Sequence, residues 1–165
     1  MVPQQNIGYA DESGRIGYVA PGRVPRRRSD NLLHGLAPAP GWDARFDWQA
    51  RIAFDDLPRT ENPKLGILVT ANHQIVPPGY GHWISAEWMP PYRDERIRQL
   101  LQQAPLQDIE TTRLAQTDTV SLTAQQLLPS LPKLLSRLPQ EQRALGERMA
   151  AWNGDMPADQ AEPLL

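Results

Sequence analysis

Residues 67–78 read ILVTANHQIVPP, and the class of fold turns on how that stretch is understood. Ile67, Leu68 and Val69 form a β-branched and aliphatic run of the kind a buried strand requires, with Gly66 to open it. The run stops on Asn72, His73 and Gln74, and Pro77 and Pro78 then forbid further pairing. A strand that ends on an amide, an imidazole and a second amide is either entering a turn or holding a hydrogen-bond donor in a fixed place.

Working toward the N-terminus, the texture stays that of strands and turns. NIGYADESGRIGYVAPG, residues 6–22, has two aliphatic-aromatic runs around Asp11, Glu12, Ser13 and Gly14, which predicts a hairpin with a four-residue loop. Residues 23–40 are rich in arginine and proline and read as a loop. In GWDARFDWQARIAF, residues 41–54, the residues Trp42, Phe46, Trp48, Ile52 and Phe54 recur mostly at even spacing, which predicts one face of an extended segment. Asn62 precedes Pro63, which imposes an extended or turn conformation there.

Toward the C-terminus the period changes. DERIRQLLQQ, residues 94–103, sets Ile97, Leu100 and Leu101 on one face with acids first, as a helix prefers. Residues 107–128 predict two helical pieces, and PQEQRALGERMAAW, residues 139–152, a last amphipathic helix, with Pro129, Pro132 and Pro139 breaking the chain between them. Strands and loops over 6–78, then helices over 93–165, without alternation, predict an α+β fold. Its antiparallel sheet would be covered by helices.

Composition sets the outer bounds. The chain has 165 residues and a formal net charge of −2, which speaks against general nucleic-acid binding. Arg23, Arg26, Arg27 and Arg28 form a short basic cluster without interleaved aromatics and read as a solvated loop. There is no cysteine, hence no disulfide or thiolate nucleophile, and His34, His73 and His82 lack metal-ligand spacing with carboxylates. No apolar run approaches the ~18 residues of a membrane span. The N-terminus lacks the apolar core of a signal peptide. Seventeen prolines, about twice the usual share, pin many connections. Of the five tryptophans, Trp42, Trp48 and Trp152 read as core, while Trp83 and Trp88 are spaced for a loop.

Six stretches in one order carry a resemblance: YADESGRIGY (9–18), VPRR (24–27), PAPGWDARFDWQARIAFDDLPRTENPKLGILVTAN (38–72), PPYRDERIRQLL (90–101), AQTDTVSLTAQQLLP (115–129) and LGERMAAWNGDMPAD (145–159). Together they resemble the middle of the β chain of the penicillin acylase (penicillin amidase) family of N-terminal nucleophile hydrolases, over nearly all of the chain. The resemblance implies part of a four-layer αββα sandwich. It implies cleavage of linear amides, as in penicillin or N-acyl-homoserine lactone acylases, by a serine at a free N-terminus whose own amine is the base. It also implies that Asn72 donates its side-chain amide to the oxyanion of the tetrahedral intermediate, and that Arg96 supports the active-site region, with Arg93 one turn earlier on the same helix face.

The departures are informative too. Where family members commonly carry a second asparagine, this chain has His73, read as a satisfied loop histidine. Several members bind calcium through β-chain carboxylates; around residues 83–87 only Glu87 is available, so calcium is an expectation for a full-length parent and no metal or other cofactor is expected here. Met1 is not Ser, Thr or Cys, and no later serine has the free α-amine the mechanism needs. The expectation is therefore a partial β-chain domain over 1–165. It would supply the oxyanion asparagine but lack the nucleophile, stay inactive alone, and take the remainder of the acylase α and β chains as its partner. A periplasmic location is expected for a full-length parent. The alternative is a non-catalytic binding or structural module derived from the same family.

Overall fold

The computed structural model describes residues 5–164. The described residues within 1–89 form one compact unit and those within 90–165 a second. The first contains five strands: β1 (Ile7–Ala10), β2 (Ile16–Val19), β3 (Pro25–Arg27), β4 (Trp48–Arg51) and β5 (Arg59–Glu61). The second contains five helices: α1 (Tyr92–Gln103), α2 (Ile109–Gln116), α3 (Leu122–Leu127), α4 (Pro132–Leu135) and α5 (Gln140–Ala151).

The predicted hairpin forms. β1 and β2 pair antiparallel with Ala10 opposite Ile16. Five residues, 11–15, separate the strands where four were expected, and the outer two of them still meet through the Asp11 N–H on the Arg15 carbonyl at 3.0 Å. The Asp11 carboxylate fills the turn, accepting from Ser13 N–H at 2.9 Å and Arg15 N–H at 3.1 Å. These bonds, that from the Ser13 hydroxyl foremost, hold the carboxyl below its ordinary range. Gly14 takes the left-handed conformation at φ 81°.

β5 joins the other side of β2, giving the order β1-β2-β5. The Tyr9 ring lies against Gly17, where any side chain would collide with it. Residues alternate across a strand, so Tyr18 faces the opposite side. It is buried, and its hydroxyl donates to the Ile75 carbonyl at 3.0 Å, tying the sheet to the stretch that holds the polar trio. Asn62 turns the chain at φ 44°, its side-chain oxygen accepting the Ile16 N–H at 3.1 Å.

Three expectations are corrected. The arginine-rich loop contains β3, which pairs antiparallel with β4. Residues 41–54 are not one extended face: a 3-10 turn at Ala44–Phe46 precedes β4 and another at Phe54–Asp56 follows it. The Asp43 carboxylate initiates the first by accepting the Arg45 N–H. Of the evenly spaced apolar set only Ile52 is buried, packing with Val24, Leu57 and Ile84; Trp42 and Trp48, read as core, are 90% and 66% exposed. Finally, residues 67–70 form no strand ladder among the described residues, although Val69 and Ala71 are buried. A β-rich sequence can only pair where a neighbouring strand offers its edge.

The helical unit follows its sequence closely. α1 carries Asp94 and Glu95 in its first turn. α2 begins at a capping box, with Asp108 and Thr111 each accepting the other's backbone N–H, and α3 at Ser121, whose hydroxyl accepts the Ala124 N–H at 3.2 Å. A single antiparallel bridge joins Val120 to Asp155, and the Trp152 indole N–H donates to the Asp155 carbonyl at 2.6 Å. Gly154 is required there, at φ 84° and with a Cβ position 2.7 Å from Gln125.

Candidate functional site

Ala71, Asn72 and His73 form a bend at the end of the apolar segment, and Gln74 follows it. Asn72 is exposed and stands at φ 62°, in the left-handed region that asparagine enters more readily than most residues. Its carbonyl accepts the Met89 N–H at 2.9 Å, which pins the bend to a segment 17 residues further along. The His73 Nδ1 accepts the Ala71 N–H at 3.4 Å, and the Gln74 side-chain amide donates to the Val76 carbonyl at 3.1 Å. Thus a buried Val69 and Ala71 anchor the approach, and local hydrogen bonds shape the end.

Asn72 and His73 line a cleft of about 530 Å³ together with Thr70, Ile84, Glu87 and Trp88. A carboxamide set in the wall of a partly apolar cleft offers a neutral N–H donor, which can meet developing negative charge without bringing a counter-charge of its own. Glu87 is the carboxylate of this wall, and its own N–H is taken by the Ser85 hydroxyl at 3.0 Å. Among the described residues no three imidazoles or carboxylates gather as a metal would need.

Arg96 belongs to the other unit. Its guanidinium grips Asp118 with two hydrogen bonds, Nε to Oδ2 at 2.9 Å and Nη2 to Oδ1, and reaches Gln99 with Nη1 at 3.3 Å. Both partners are more than three-quarters out of water, with side chains 21% and 15% exposed. That fork holds the Asp118 carboxyl below the usual carboxylate range and raises the arginine further. At the same helix start, Asp94 pairs with Arg98, Nε to Oδ2 at 2.9 Å. Arg93 and Arg96 share a face, as their spacing predicts, lining a cavity of about 260 Å³ with Ile97, Leu100 and Leu122. Asn72 and Arg96 thus stand in separate compact units, each ordered by contacts within its own.

Two contributors are invisible at sequence level. Asp118 lies 22 residues beyond Arg96, between helices, where no period connects them. The Met89 clamp is a backbone N–H, which every residue but proline has, so no side-chain pattern marks it.

With this geometry in hand, the comparisons with known proteins fall on one group. The acyl-homoserine lactone acylase QuiP of Pseudomonas aeruginosa is 35% identical over 97% of this chain and 20% of its own length. The penicillin acylase 2 proenzyme of Pseudomonas sp. strain SE83 is 32% identical over 93% of this chain and 19% of its own. Among solved structures, a thermostable penicillin G acylase from Alcaligenes faecalis superposes with a TM-score of 0.69 at 29% identity, covering 98% of this chain and 29% of that one. The chain spans about one-fifth of the length of the curated relatives it matches. Its α+β arrangement is that of the corresponding portion of penicillin G acylase. Residues 1–165 match the penicillin amidase family throughout, and the chain belongs to that family.

Proposed function

We propose that this chain is an internal part of an amide hydrolase of the penicillin acylase type, in which Asn72 donates its carboxamide N–H to the oxyanion of a tetrahedral intermediate. The observation that carries the reading is the position of Asn72: a left-handed residue at the end of a buried segment, in the wall of a cleft, in a chain of the penicillin amidase family. Acyl transfer through a serine ester passes through an oxyanion, and a donor already fixed before the charge develops stabilises it without reorganising. The nucleophile, a serine bearing a free α-amine, comes from polypeptide outside these 165 residues. The remaining parts of the acylase are the partner that covers the exposed Trp42 and Trp48. Arg96 serves as a support, its charge balanced by Asp118. The substrate is a linear amide. The names of the relatives point to penicillins and N-acyl-homoserine lactones as the two classes to assay.

The test is Asn72→Ala in an acylase polypeptide that carries residues 1–165. Removing one such donor lowers kcat by about 10²–10³, or about 2.7–4 kcal/mol of barrier, with KM little changed. A kcat within about threefold of the parent would overturn the oxyanion role. Assaying both substrate classes side by side then assigns the leaving group.

A further inference from the structure

The function proposed above needs the Asn72 carboxamide in one place, and the placement of that side chain follows from φ. Turning residue 72 from φ 62° to an extended value would swing its Cβ to the other side of the chain. The question is what holds the left-handed state. Two backbone groups flanking the residue are fixed by hydrogen bonds. One is the Asn72 carbonyl, which takes the Met89 N–H at 2.9 Å. The other is the N–H of Ala71, a residue only 6% exposed, which donates to the His73 Nδ1 at 3.4 Å.

We infer that His73 is the positioning residue of this site: its Nδ1 closes the bend across Asn72 by accepting the Ala71 N–H, and so aims the carboxamide next to it. A buried backbone N–H must find an acceptor, and here the side chain two residues ahead supplies it. The direction of the bond also sets the chemistry of the ring. Nδ1 accepts only when it carries no proton, so this bond requires the hydrogen of the ring to sit on Nε2. His73 also lines the same cleft as Asn72. It touches no reacting atom in this scheme and acts through its neighbour. The functional consequence rests on the oxyanion reading of Asn72, whereas the bend itself does not.

Two substitutions separate the acceptor from the bulk of the ring. His73→Asn keeps an acceptor atom at the δ1 position, and His73→Phe keeps a planar ring without one. In an acylase polypeptide that carries residues 1–165, nitrogen-15 NMR is expected to show His73 protonated on Nε2 alone and the Ala71 amide protected from hydrogen exchange. His73→Phe should accelerate that exchange by about tenfold or more and His73→Asn should not, because opening of the bend is what exposes the amide. A proton on Nδ1, an Ala71 amide exchanging at unfolded rates in the parent chain, or equal protection in His73→Phe would each overturn the inference. In the acylase polypeptide, His73→Phe should lower kcat roughly tenfold at unchanged KM, less than loss of the donor itself, with His73→Asn close to the parent. Loss of activity in Asn72→Ala but not in His73→Phe would overturn the positioning role alone. Indifference to both, with the Ala71 amide still protected, would leave the bend and overturn the function.

Discussion

The two compact units are built by different means. In residues 1–89 the backbone carries the information: the three non-glycine residues described at positive φ, His34, Asn62 and Asn72, all lie there, and side chains of Asp11, Asn31 and Asn62 fold back onto main-chain N–H groups. The apolar cluster is small, with Val24, Ile52 and Leu57 buried and Ile84 against them. In residues 90–165 every non-glycine residue described has an ordinary φ, and order comes from caps and ion pairs, among them Arg96–Asp118, Arg98–Asp94 and Arg148–Glu162. The lesson is one of division: a unit shaped by strained turns can aim a carboxamide, and a unit shaped by caps and pairs can hold charge still.

The largest effect on this contrast should come from the core of the first unit. Ile52→Ala removes the centre of a cluster too small to refill the space and should cost about 2–5 kcal/mol. Four of the five tryptophans lie in that unit, so fluorescence-detected unfolding should shift much more than helical ellipticity. An equal shift in both signals would erase the division. Next, Asp118→Asn leaves the half-buried Arg96 without its carboxylate and should cost about 1.5–3 kcal/mol, read this time in the helical signal. The same pair predicts an acid response. The folded carboxyl of Asp118 titrates below its unfolded value, so its stabilising contribution is present above the ordinary aspartate range and is lost as pH falls through the folded pKa. Asp118→Asn should therefore flatten the helical unit's stability profile on the acid side. An unchanged profile would mean that the pair contributes nothing. The smallest effect is expected at Trp42, 90% exposed, where Trp42→Ser should stay within about 0.5 kcal/mol of the parent chain.

How much of this was legible beforehand differs between the units for the same physical reason. Helical periodicity, capping side chains and proline breaks are local. Hence α1, the split into α2 and α3 and the last helix α5 could be placed from residues 94–152 alone. The β1-β2 hairpin was equally local, since its turn is made by Asp11 and Gly14. Even spacing over residues 41–54 misled, because Asp43 begins a 3-10 turn that breaks the alternation before the strand starts. Residues 67–70 have the composition of a strand, but composition cannot supply a partner edge.

By itself the sequence determined the class of fold, the order of strand-rich and helical halves, the family, and Asn72 and Arg96 as the residues to examine. Only the tertiary structure decided which distant groups close on those two residues: the Met89 N–H on the Asn72 carbonyl, and Asp118 on Arg96. The physical reason is that caps and periods act over a few residues of chain. A hydrogen bond spanning 17 or 22 residues exists only once folding has brought its donor and acceptor together.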